Sequence, residues 1–169
     1  MPANKYTTTW SIFEKFRSFL DNHDQVQGIF SGTEDMVDLE QLSPNEFPLV
    51  FYGMGQATLD QGSAALQIEI FVADQYLDDR ETTPADSSYD DMLTAQGQTL
   101  LIARDIVAYF KNHEAYETGD RSFVARHDLD LPVIVTPFTT KTKDHLQGWA
   151  MTVTINFDND NDLCLVPLT

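Results

Sequence analysis

The chain contains a single cysteine, Cys164, so no internal disulfide and no cysteine-based zinc cluster can form. Cysteine usage of this kind fits a reducing compartment. Bases are scarce as well: 10 Lys and Arg stand against 27 Asp and Glu, a formal charge of −17. Tight binding to nucleic acid needs Lys and Arg to displace counterions from phosphates, so this balance argues against a general nucleic-acid binder. No apolar run approaches the roughly 20 residues of a membrane span. The N-terminus shows no signal-peptide h-region. The expectation is a soluble protein made and used in a cytosol, with no membrane partner.

Chemical signatures are also sparse. The histidines, at 23, 113, 127 and 145, form neither H-x-x-x-H nor H-E-x-x-H. His127-Asp128 with Asp130 is a metal fragment at most, because a site needs three or four convergent ligands. No G-x-S-x-G occurs, and Cys164 has no local base, which leaves nucleophilic catalysis without support. Gly53-x-Gly55 lacks a following glycine, a Lys-Ser/Thr pair and a helix to aim at phosphate. Asp158, Asp160 and Asp162 match the first ligands of a calcium loop, but Leu163 stands where Gly is required and Thr169 where Glu is required. A solvated turn that ends a strand is the simpler reading of that run. No catalytic residue, cofactor or metal site is expected, and the chain is read as a non-enzyme.

What the chain does have is apolar periodicity. With 169 residues, 42% hydrophobic content and 11 Phe, it can bury an ordinary core as one domain over residues 1–169. Its organising stretch is a helix expected over about 89–113. Ser88 is the expected N-cap, with Asp91 at capping-box spacing. Asp90 and Asp91 suit the positive end of the helix dipole, and Lys111 suits the other end. At about 100° per residue, Met92, Leu93, Gln96, Thr99, Leu100, Ala103, Ile106, Val107 and Phe110 fall on one stripe, expected to face a sheet. Leu101, Ile102 and Tyr109 fall outside it. They are the candidate subunit interface, unless the N-terminal helix covers them within one chain.

That N-terminal helix is expected over about 9–21, with Trp10, Phe13, Phe16, Phe19 and Leu20 on an aromatic stripe best read as core. Strands are expected around Val26–Phe30, Met36–Leu39, Leu49–Tyr52, Leu66–Val72, Phe123–Leu129 and Val133–Thr136. Gly53–Ser63 reads as loop. Asp74–Ser87 reads as a long acidic loop, a length often used for binding or assembly. From Gly148 runs the clearest strand: Trp149, Met151, Val153, Ile155 and Phe157 point one way, Ala150, Thr152, Thr154 and Asn156 the other. The fold class is α+β, a mostly antiparallel sheet packed by two helices.

In this order of elements the chain resembles the tail terminator proteins of long-tailed bacteriophages, also called tail completion or neck ring proteins. The likeness runs through N-E-F-P-L-V-F-Y, L-Q-I-E-I-F-V-A-D, the helix L-L-I-A-R-D-I-V-A-Y-F, and D-H-L-Q-G-W-A-M-T-V-T-I to N-D-L-C. The Gly148-Trp149 step into the terminal strand is its most telling piece. The resemblance implies a virion structural protein that closes into a ring, commonly a hexamer. Such a ring caps the tail tube, stops its growth and offers a joining surface to the head connector. It carries no catalytic residues. Genomic DNA would pass through the lumen without specific binding, and an acidic wall would keep it from adhering. The expected location is the virion tail or neck, and the host cytoplasm during assembly. Two other classes stay open: another neck, head-completion or short-tail ring protein, and a small α+β ligand- or calcium-binding module.

Overall fold

A computed structural model describes residues 9–32, 46–60, 62–75, 86–116, 127–139 and 146–159. Its centre is a pair of long antiparallel strands, β3 (Gly62–Gln75) and β6 (Leu146–Asn159), in register from Gly62↔Asn159 to Gln75↔Leu146. Both alternate with period two, and one parity is buried. Leu66, Ile68, Ile70 and Val72 of β3 meet Met151, Val153 and Ile155 of β6 on that face. Gln67, Glu69, Thr152 and Thr154 take the other face, where they are exposed or half-buried. The expected alternation of the terminal strand is therefore present; the side chain of Phe157 lies outside the described residues.

The other strands extend this pair into a six-stranded sheet. β2 (Leu49–Leu59) pairs antiparallel with β3, and β1 (Gly28–Ser31) pairs parallel with β2. On its far edge β6 is covered in two parts, by β4 (His127–Leu129) and β5 (Val135–Thr139), both antiparallel. The bend between them is tied to β6. The Asp130 N–H donates to the Thr154 carbonyl at 3.0 Å, and Asn156 Nδ2 donates to Asp130 Oδ1 at 2.6 Å. Pro137 sits in β5, an edge strand, where a missing N–H is tolerated. The sheet is mostly antiparallel and carries two helices, the α+β class expected.

Both helices lie on the buried face. α1 (Thr9–Asp21) inserts Ile12, Phe16 and Leu20, with Phe13 and Phe19 packed beside them. Phe16 sits edge-on to Tyr52 of β2 at 5.0 Å between ring centroids and against Phe110 at 4.9 Å. The aromatic stripe is thus core; the side chain of Trp10 lies outside the described residues. α2 (Asp86–Tyr116) crosses β6 and β3. Among the described residues, the opposite sheet face holds a small apolar cluster at one end, where Leu49, Phe51 and Ala73 are buried beside Phe71 and Phe138.

Four expectations need correction. Gly53–Ser63 is not a loop: β2 runs on to Leu59 and β3 begins at Gly62, and the Asp60 N–H donates to the Ser63 carbonyl at 2.9 Å. Backbone pairing with Glu69 of β3 holds Gly53 in the strand despite its low strand preference, and Gly55 sits in the irregularity between Met54 and Ala57. α2 is longer than 89–113 at both ends, which places Ser88 inside its first turn rather than at the N-cap. Residues 74–75 belong to β3 and 86–87 to α2, so the acidic loop is shorter than 74–87. β5 starts at Val135, two residues later than the expected run. Residues 36–39, 76–85 and 123–126, and 160–169 with Asp160, Asp162 and Cys164, lie outside the described residues.

Candidate functional site

α2 is apolar on two opposite faces. Ala95, Thr99, Ile102, Ala103, Ile106 and Phe110 are buried against the sheet and α1. Leu93, Leu100 and Leu101 are 45%, 41% and 41% exposed. The expected stripe faces the core at Thr99, Ala103, Ile106, Val107 and Phe110, but Leu93 and Leu100 belong to the outer face, and Ile102 to the core. Helix-to-sheet packing explains the difference. Small residues at 95, 99 and 103 let the helix approach the strands closely, and bulkier leucines are left facing outward. Thr99 is tolerated inside because its hydroxyl donates to the Ala95 carbonyl at 2.7 Å. Trp149 fixes the same turn, its indole N–H donating to the Gln96 carbonyl at 2.9 Å.

The three candidate interface residues thus separate. Ile102 is fully buried within its own chain, which removes it from any subunit contact. Tyr109 is half-buried and stacks on Phe19 of α1 at 4.3 Å, so α1 covers it within one chain. Leu101 alone stays outward. It lines an open groove between the helices together with Phe19, His23, Arg104, Asp105 and Tyr109.

The groove's polar groups are arranged around His23. The Gln25 N–H points to His23 Nδ1 at 3.3 Å, which leaves the ring proton of the neutral form on Nε2. Nε2 lies 3.6 Å from Asp105 Oδ2, while Arg104 donates from Nε and Nη2 to Asp105 Oδ1 at 3.2 and 3.1 Å. One histidine and one carboxylate are too few to hold a metal. Among the described residues, no three His, Cys, Asp or Glu side chains converge on a metal-sized site. Asp130, of the His127-Asp128-Asp130 fragment, is instead engaged with Asn156. Gly53 and Gly55 are strand residues, with no helix N-terminus following them. Among the described residues, no helix is long and apolar enough to cross a membrane.

Sequence reasoning missed Leu93 and Leu100 as outward residues, and the available signal was Ala95. A small residue four positions before Thr99 and seven before Ile102 marks the side of close approach better than the largest apolar residues do. No protein-family model matches this chain, and no curated protein matches it as a relative.

Proposed function

We propose that this protein is a tail terminator. Its subunits close into a ring, a hexamer by resemblance, at the head-proximal end of a long phage tail. The ring caps the tube and presents the joining surface to the head connector. The observation that carries the reading is the outer face of α2. A helix already packed on a sheet has no internal use for three outward leucines, and apolar clusters of this kind mark sites of protein contact. The charge of −17 supports the same role, since DNA must pass such a ring without sticking.

The test is assembly. Each subunit brings more negative charge, and salt screens that repulsion beyond about 10 Å at 0.1 M. Self-association measured by light scattering should therefore strengthen along a salt series. Purified tail tubes incubated with the protein should show capped ends by electron microscopy and elongate no further. Tube ends left bare, with no large particle at any salt or protein concentration, would overturn the reading.

A further inference from the structure

At one end of the sheet the buried face finishes in a polar pair. Asp74 of β3 and Gln147 of β6 stand directly opposite each other in the antiparallel register. Opposed residues share a face, with Cβ atoms about 4.5–5.5 Å apart. Asp74 continues the parity of Ile70 and Val72, and Gln147 that of Met151 and Val153, so both lie on the core face. Asp74 is half-buried and Gln147 is 1% exposed. Gln147 Oε1 is buried and has no hydrogen-bond partner. A buried acceptor without a donor is costly, and native proteins keep few of them. Thr139 of β5 faces Gln147 from the other side, but it is exposed and its hydroxyl does not donate to Oε1. Asp74 has Oδ1 engaged with the Gln75 N–H, which leaves Oδ2 to carry a proton.

We infer that neutral Asp74 donates from Oδ2 to Gln147 Oε1, and that this acid–amide bond is a pH-dependent latch at the end of the central hairpin. On this face the next residues in the ladders are Val72, its partner Val50 of β2, and Trp149, which holds the Gln96 turn of α2. None of these is charged, and Glu69 of β3 lies on the opposite face. Burial therefore sets the direction: it raises the Asp74 carboxyl above the ordinary range, and the Gln75 N–H opposes this only in part. Below the folded value the bond is present. As pH rises through that value Asp74 ionises, the donor is lost, and two oxygens face each other across the ladder. The Gln75↔Leu146 end then loosens, where the chain leaves β3 toward α2. The latch does not depend on the ring reading.

Urea midpoints at micromolar protein, along a series from about pH 3.5 to about pH 8, test the latch with Gln147→Met, Asp74→Asn and the double variant. Methionine keeps an unbranched side chain and removes the amide carbonyl. In the wild-type background Gln147→Met should lower the folding constant about fivefold at the acid end, the worth of one net hydrogen bond, and no more than about twofold at neutral pH. In the Asp74→Asn background the loss should be about fivefold at every pH, because the asparagine Nδ2 donates whether or not a carboxyl would be ionised. Gln147→Leu carries the same expectations if the methionine variant does not fold. Amide hydrogen exchange, corrected for its intrinsic pH dependence, should show Leu146 and Gln147 losing protection relative to Val153 as pH rises in wild type but not in Asp74→Asn. A Gln147→Met loss that grows with pH would mean that the amide instead donates to ionised Asp74. A loss that is equal at all pH in the wild-type background, or exchange that changes alike in wild type and Asp74→Asn, would mean that the two side chains share no proton. Each of these results would overturn the inference.

Discussion

The indole N–H of Trp149 donates to the backbone carbonyl of Gln96, 2.9 Å away, joining the central strand β6 to the middle of α2. Gln96 adjoins Gly97, so this bond fixes the sheet side of the turn whose outer side carries the leucine face. Trp149→Phe keeps an aromatic ring and removes the donor. A net hydrogen bond is worth about 1 kcal/mol, and the smaller ring adds a packing loss, so the variant should unfold about 1–2 kcal/mol more easily. Urea denaturation with an unchanged m-value would confirm a local loss; a midpoint equal to wild type would show that the bond contributes nothing.

Two glycines should respond in opposite directions to alanine. At Gly148 an added Cβ would run into the Val72 carbonyl oxygen of the neighbouring strand, so β3 and β6 must separate where both are buried. Gly148→Ala should cost roughly 3 kcal/mol or more, in the range reserved for core overpacking and strain. At Gly97 there is open space, and alanine is favoured over glycine in a helix by roughly 0.8–1.0 kcal/mol. Gly97→Ala should raise the melting temperature by about 2–4 °C in dilute, monomeric conditions. A rise for both variants would mean that the close strand approach at Gly148 is not a constraint.

The two faces of β6 should differ as sharply. Val153 is fully buried in the main core and Thr152 is exposed on the opposite sheet face. Val153→Asp places an unpaired charge in an apolar interior and should abolish soluble expression. Thr152→Asp should be expressed and fold with a stability change within about 1 kcal/mol. Equal behaviour of the two would mean that the second face is covered as well.

What could be read from the sequence follows from what each pattern depends on. Met151, Val153 and Ile155 were legible because period two survives wherever one sheet face is buried and the other is wet. β2 beyond Tyr52 was not: Gly53, Gly55 and Gln56 carry no strand preference, and only pairing with β3 extends the strand there. α2 was legible as a helix, and its core face was legible at Thr99, Ala103, Ile106 and Phe110, but not the outward turn of Leu93 and Leu100. Apolar residues on two faces give no single direction, and the direction is set instead by Ala95, Thr99 and Ala103, which fit against strands. For the same reason the candidate interface residues divide, with Leu101 facing outward and Ile102 buried in the core.

The last prediction concerns Asp74, near the end of β3 and level with Gln147 of β6. Burial pushes its carboxyl above the ordinary aspartate range, and the Gln75 N–H on its Oδ1, at 2.8 Å, only partly offsets this. The sign follows from proton binding. An unfolded aspartate ionises near pH 3.9, whereas folded Asp74 holds its proton to higher pH. Below the unfolded value Asp74 carries no charge penalty in either state. As pH rises through the folded value, the native state must ionise a partly buried group, and stability falls. At neutral pH the full penalty is present. Asp74→Asn retains an Oδ1 acceptor for the Gln75 N–H and removes only the charge, so it should be more stable than wild type at neutral pH. The advantage should shrink as the pH is lowered through the carboxylate range, and at about pH 3 the two proteins should nearly coincide. Urea midpoints for both proteins along that series test it. A gap that stays constant with pH would assign the difference to packing rather than charge, and a more stable wild type at neutral pH would show that ionised Asp74 is stabilised where it stands.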